Sequence, residues 1–408
     1  MKLRPIITSL LCTDMYKFNM GNVIFKQFNN YTTTWTFKCR NEDVRFTDEM
    51  IQEIRDQFDF YCGLRFETDE LNWLKANLPW LSEGYINYLK FWHPVREEVS
   101  INENNIIPYN GCRLAIEAKG TWLNTSMYEI ALLAIVSEVY YTFKYDIKKL
   151  EDEFKIRTTE KLNKLIDGTY VLGTFSEFGL RRRLSKESQD WLIHELVRAK
   201  IQNVNIGFIG TSNVELAKKY NLKAIGTMAH ELIQAIGQGN PKHDKSYSNY
   251  FTMKAWTDEY QTLNGIYLTD CITTDCFLKD FDLTFANLFS GVRHDSGCPY
   301  EWGEKIINHY KKLNIDPKSK TLLFSDSLNF EKATKLYKYF KDNCKVAFGI
   351  GTFLSADTFA KPLNIVMKIT ECNGFPVAKI SDTPGKTLCR DNEYVEYLTR
   401  CIKWRMEH

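Results

Sequence analysis

The sequence lacks a membrane span: even the apolar stretch Ile130 to Val136 falls far short of the ~20 residues a bilayer requires. No secretory leader is expected either. The apolar part that follows Met1-Lys2-Leu3-Arg4 is interrupted by Thr8 and Ser9, ends at Asp14 and Lys17, and offers no small-residue cleavage site. An excess of one charge sign is also missing. Lys+Arg 53 balance Asp+Glu 51, a net charge of +2 dispersed along the chain, which argues against nucleic acid or an anionic membrane as the main partner. Any anionic ligand must then be held by local arginines. No C-x-x-C pair occurs among the 11 cysteines, the nearest two being Cys271 and Cys276. This excludes a zinc ribbon and points to reduced thiols in the cytoplasm rather than a disulfide frame. Internal repeats and low-complexity segments are absent.

What is present is a chain of 408 residues with 44% hydrophobic content, enough for one large or two ordinary domains. The first 120 residues mix strand-like alternation at Thr32 to Cys39 with helical periodicity at Phe18 to Phe28, Phe46 to Phe60 and Leu71 to Leu78, an α+β layer. Helices are expected over Ser126 to Tyr145 and Ile147 to Leu165. Short β-rich runs then alternate with helical segments: Tyr170 to Phe175, Ile206 to Ile209, Ala224 to Thr227, Gly265 to Leu268, Ser290 to Arg293, Thr321 to Phe324 and Lys345 to Phe348. That alternation predicts an α/β fold, an irregular TIM-like α/β barrel over 121–360. Beyond Pro362 the βα units stop. Strands at Leu363 to Ile369 and Phe375 to Ile380 and a terminal helix are expected to fold back on the N-terminal layer, so that 361–408 completes the α+β unit begun by 1–120.

The ends of the seven β-rich runs hold the chemistry-bearing residues, as expected at the carboxyl ends of parallel strands. His230 and Glu231 follow the third run. The pair reads either as a reactive site or as an ordinary helix start, and Gln234 stands where H-E-x-x-H zinc binding needs its second histidine. Asp295 and Asp326 suit ribose hydroxyls or Mg²⁺ held through water. Arg181 and Arg293 offer forked donors to carboxylate or phosphate, whereas Arg182 and Arg183 read as a solvated helix start. Gly349-Ile350-Gly351-Thr352 suits a phosphate cradle. Phe178 and Tyr16 read as core aromatics or as a clamp on a flat ring. Thr13 and Asp14 read as helix caps or as site residues. Gly385-Lys386-Thr387 looks like the end of a P-loop, but Ile380 occupies the first glycine position; Lys386 is either a nucleotide contact or a solvated lysine.

Together, Thr13-Asp14-Met15-Tyr16-Lys17, Phe178-Gly179-Leu180-Arg181-Arg182-Arg183, Gly210-Thr211-Ser212-Asn213, Ala229-His230-Glu231, Leu268-Thr269-Asp270, Arg293-His294-Asp295-Ser296-Gly297, Phe348-Gly349-Ile350-Gly351-Thr352 and Ser381-Asp382-Thr383-Pro384-Gly385-Lys386 resemble the nicotinate phosphoribosyltransferase family of NAD salvage. The resemblance implies a barrel with an open-faced layer built from both chain ends, and a cytoplasmic homodimer with shared sites. It implies nicotinate, phosphoribosyl pyrophosphate and ATP as substrates, with Mg²⁺ as cofactor. Tyr16 of the partner and Phe178 would sandwich the pyridine ring, Lys386 would touch ATP, Asp14, Arg181, Arg293, Asp326, Gly349, Gly351 and Thr352 would line the substrates, and Asp295 would be catalytic together with His230 and Glu231. His230 would be phosphorylated by ATP, and Glu231 would orient its imidazole or cap a helix. Ser212 stands where nicotinamide-using relatives carry an Asp; its hydroxyl is expected to donate to the nicotinate carboxylate, with Arg293 nearby. Ile236 and Cys298 depart from the family's His and Asp, and the latter removes a carboxylate near Asp295. A nicotinamide-using enzyme and a non-catalytic nucleotide-binding barrel are the alternatives.

Overall fold

The computed structural model describes residues 4–103, 114–202, 206–383, 387 and 389–408. Two sheets organise them. The first is antiparallel and joins both ends of the chain: β1 (Thr32–Cys39), β2 (Val99–Glu103), β3 (Leu114–Thr121), β11 (Ile365–Cys372) and β12 (Phe375–Pro376), in the order β12-β11-β1-β3-β2. β1 matches the expected span. Its alternation buries Trp35, Phe37 and Cys39, and β11 pairs along its length, as the fold-back required. The second expected C-terminal strand shrinks to two residues, and the chain after it instead packs on other elements.

The second sheet is parallel and seven-stranded: β4 (Thr174–Glu177), β5 (Phe208–Thr211), β6 (Lys223–Ala224), β7 (Ile266–Leu268), β8 (Gly291–His294), β9 (Thr321–Phe324) and β10 (Lys345–Ile350). The order β6-β5-β4-β10-β9-β8-β7 places the first strand beside the last, the closing seam of a barrel. The opening lies elsewhere: β6 and β7 are the two edges and share no ladder among the described residues. Their connection is His230–Ile233, a π-helical turn Gln234–Gln238 and the helix Ser248–Tyr260.

The helix Tyr128–Lys144 is buried on nearly every side, as a helix apolar all round must be. It packs on the helix Asp48–Cys62, on β11 and on the turn Leu180–Arg182, and so carries Glu129 at its start into the space between the sheets. The helix Tyr16–Gln27 begins with Met15 as cap and no side-chain hydrogen bond, so neither Thr13 nor Asp14 caps it. No described helix is long and apolar enough to cross a membrane.

Candidate functional site

His230 follows β6 and Asp270 follows β7, so the two residues face each other across the opening of the barrel. The His230 Nε2 to Asp270 Oδ1 distance is 2.9 Å, and Asp295 Oδ2, just past β8, lies 3.6 Å from the same nitrogen. Ser296 Oγ donates to Asp270 Oδ2 at 2.6 Å and the Lys379 ammonium sits 2.7 Å from that oxygen. Burial and then the Lys379 charge push the imidazole down to about 4, so it is neutral at pH 7. Asp270 stays ionised: burial opposes its charge, but the His230 ring and Lys379 outweigh it. An ionised carboxylate only accepts, so Nε2 carries the ring proton and the lone pair falls on Nδ1. The ligand atoms of His230, Asp270 and Asp295 lie within 4.8 Å of one another, a spacing that suits a metal ion. The Lys379 ammonium already supplies a cation there.

A second cluster of charges adjoins the first. Lys17, fully buried, lies 2.8 Å from Glu129 and 2.5 Å from Glu231. Arg181 reaches Glu129 at 3.4 Å and Asp14 at 3.7 Å, and Lys368 reaches Glu129 at 3.8 Å. Glu129 is held down to about 2, because Lys17, Lys368 and Arg181 overcome the burial that opposes its charge. Glu231 has Lys17 as its cation, and burial raises it. Its other partners are Ser126 Oγ, donating at 2.5 Å, and Trp122 Nε1 at 3.3 Å. Glu231 therefore neither orients the His230 ring nor caps a helix. Successive residues at a helix start point about 100° apart, so one meets the opening and the other the interior.

The segment Asp14–Lys17 is seated on this chain's own barrel. Asp14 bridges to Asn213, Met15 N–H donates to Ser212 O at 2.8 Å, and a Cβ on Gly226 would meet Tyr16 N at 3.0 Å, so the bare glycine lets the segment approach β6. Tyr16, expected from a partner subunit, thus lies against the barrel of its own chain. Ser212, expected to donate to a nicotinate carboxylate, is engaged within the chain. Its Oγ donates to Asp14 Oδ1 at 2.6 Å, and a hydroxyl has one proton, so it has none left for a nicotinate carboxylate in this arrangement.

Phe178 accepts a close approach from β10: a Cβ on Gly349 would drive into its ring, and one on Gly351 would meet its carbonyl oxygen at 3.2 Å. Gly349 thus makes room for the aromatic. Thr352 opens a helix of four residues, Thr352–Ser355. Arg293 lies on β8 with its Nε buried and without a hydrogen-bond partner. Asp326 stands beyond β9, the neighbour of β8, while Ser325 Oγ donates to Asp295 Oδ1 at 3.1 Å. Arg183 overturns its reading as a solvated residue: it is buried and donates to Ile6 O at 3.0 Å, pinning the N-terminal segment, and Arg182 Nε donates to Ile365 O at 3.0 Å. Lys386 lies outside the described residues.

Sequence reading passed over Glu129, Lys368 and Lys379 and gave Lys17 and Asp270, both within the motifs that carry the resemblance, no role. A signal was available for each: a charged residue inside or beside an apolar run, as Glu129 before Ile130, has to be paired once buried. Asp270 stands in the turn between β7 and the helix that follows it, and His230 opens the helix that follows β6.

An open parallel barrel with a histidine, carboxylates and arginines gathered at its strand ends has the arrangement that enzymes of the α/β-barrel class present at their active face. A model described as the nicotinate phosphoribosyltransferase (NAPRTase) family matches residues 174–404, and one for the N-terminal domain of that family matches 11–137. The chain belongs to the nicotinate phosphoribosyltransferase family. It is 41% identical over 406 residues to the nicotinate phosphoribosyltransferase of Chromobacterium violaceum, with 98% of each chain covered. The crystal structure of nicotinate phosphoribosyltransferase from Vibrio cholerae is similar with a TM-score of 0.91 and 33% identity, covering 98% of this chain and 94% of that one. The enzyme from Porphyromonas gingivalis follows at a TM-score of 0.85 and 33% identity, covering 98% and 100%.

Proposed function

We propose that this chain joins nicotinate to the ribose of phosphoribosyl pyrophosphate, releasing pyrophosphate, and couples that transfer to ATP through a phosphohistidine at His230. The carrying observation is the neutral imidazole held by its Nε2 proton on Asp270. The Nδ1 lone pair attacks the γ-phosphorus, the N–P bond forms as the bond to ADP breaks, and Asp270 stabilises the imidazolium produced. Water later takes the phosphoryl group to regenerate His230. Phe178 and Tyr16 supply faces for the pyridine ring, and the unpartnered Nε of Arg293 is an available donor for the nicotinate carboxylate. That donor, rather than the Ser212 hydroxyl, favours the acid over the amide. Asp295, its side chain 29% exposed, and Asp326, past the neighbouring strand, are the hard-oxygen carboxylates that would hold Mg²⁺ through water. When bound, that ion would draw charge from the pyrophosphate.

The test is incubation with γ-labelled ATP, with His230→Asn as the control. Acid-labile, base-stable phosphate that disappears in the variant is the expected result; label that survives the substitution removes His230 from this role. Slow, ATP-independent transfer should persist in His230→Asn, because the other loops still hold both substrates. A preference for nicotinamide over nicotinate would sink the assignment of the base, and no mononucleotide from either would leave a nucleotide-binding barrel.

A further inference from the structure

Gln238 closes the π-helical turn that follows His230, and it is fully buried. Its carboxamide pairs with both backbone groups of one residue: Nε2 donates to Ala378 O at 2.9 Å, and Ala378 N–H donates to Oε1 at 2.7 Å. A backbone N–H only donates and a carbonyl only accepts, so these partners leave the amide one orientation. Tyr394 of the C-terminal helix Asn392–Glu407 donates to the same Oε1 at 3.1 Å. The residue after Ala378 is Lys379, whose ammonium lies 2.7 Å from Asp270 and 3.7 Å from Asp295. Packing carries the same connection independently. Ala378 shares an apolar cluster with Ile272, two residues past Asp270, and with Leu398 and Ile402 of the C-terminal helix, and Tyr394 packs against it.

We infer that Gln238 is a positioning residue, whose carboxamide takes the place of a strand partner and holds Lys379 in register with the Asp270–His230 pair, with the C-terminal helix bracing it through Tyr394. Two-residue β12 ends before this segment; backbone bonds tie Val377 N–H to Thr370 O at 3.1 Å and Ile380 N–H to Cys271 O at 2.8 Å, which leaves both backbone groups of Ala378, between them, to be held. The side chain of Gln238 holds them, and π turns, which widen a helix by one residue, recur where a side chain must reach a functional site. The placement of Lys379 stands on geometry alone; its bearing on turnover rests on the function proposed above.

The test uses the full-length protein with ¹⁵N-labelled histidine, the His230 ring signals being assigned by their loss in His230→Asn. Gln238→Leu keeps approximate volume and removes both hydrogen bonds to Ala378. Its His230 signals should move towards those of Lys379→Met, and kcat for mononucleotide formation should fall on the order of 10–100-fold, with a smaller change in KM, as a misplaced catalytic array produces. Tyr394→Phe, which removes one bond only, should move the same signals in the same direction by less, and it serves if Gln238→Leu does not fold. Gln238→Glu retains the acceptor for Ala378 N–H and should recover part of the shift. Ring signals at their wild-type positions in a folded Gln238→Leu or Tyr394→Phe protein overturn the inference. If the signals move but the wild-type protein makes no mononucleotide, the functional reading fails while the positioning role stands.

Discussion

Lys17→Met tests the buried charge cluster most directly. The substitution removes one ammonium from between two carboxylates, Glu129 at 2.8 Å and Glu231 at 2.5 Å, both almost wholly buried. Glu129 keeps Arg181 and Lys368, so the residue left without a cation is Glu231. Removing one partner of a buried ion pair costs about 3–5 kcal/mol, most of it the burden of the orphaned charge. Glu231 can escape by taking up a proton. The penalty should therefore shrink by about 1.4 kcal/mol for each pH unit of acidification over the range in which the variant's Glu231 protonates on folding. Adding Glu231→Gln to Lys17→Met should restore stability rather than subtract from it, with a coupling of about 2–3 kcal/mol. Urea denaturation followed by tryptophan fluorescence at pH 7.5 and pH 6 measures all of this. A Lys17→Met protein within about 1 kcal/mol of wild type, or double-variant losses that simply add, would refute the reasoning.

Three further outcomes are expected. Asp270→Asn removes the anion that fixes the His230 ring proton, so phosphoenzyme formation should fall by on the order of 10²-fold or more in a folded protein, measured by labelling with γ-phosphate; undiminished labelling would show that Asp270 does not set the ring. Burial raises Glu138 to about 7, against the opposing Arg183 charge. A carboxyl raised on folding contributes stability that is full below its unfolded value and is lost as pH rises through the folded one. Glu138→Gln should thus flatten the stability profile between about pH 4.5 and 7 by up to roughly 3 kcal/mol, and an unchanged slope in urea titrations would contradict the assignment. Gly349→Ala puts a Cβ into the Phe178 ring, which should destabilise the fold by about 1–3 kcal/mol and raise KM for nicotinate. Wild-type KM in that variant would separate Phe178 from the base.

Much of the fold was legible because its signals are local. The span of β1 was read without error, since alternation over Thr32 to Cys39 writes a half-buried strand directly into the sequence. Among the parallel strands Thr321–Phe324 was also read without error, and the other six were displaced at one or both ends by one to four residues, as short runs buried on both faces carry no alternation to mark their ends. The chain ends were expected to meet and do so through β1 and β11. Less of the site could be read. His230, Asp295, Arg181 and Arg293 show themselves as polar residues at strand ends, but which carboxylate meets which base depends on strand order, and that order is set by contacts far apart in the chain.

The sequence by itself determined the class of fold, the succession of strand-end turns and the residue types they carry, because periodicity and turn chemistry act over a few neighbours. Tertiary structure alone decided that the barrel opens between β6 and β7 and that His230 meets Asp270 there. It also decided that Glu231 turns inward to Lys17, that Met15 seats on Ser212 of the same chain, and that Gln238 pairs with Ala378 beside Lys379. Each of these joins residues between 40 and 214 positions apart, His230 with Asp270 and Lys17 with Glu231 marking the two extremes. Such pairings follow from how buried charges and unpaired backbone groups find partners once the elements have packed.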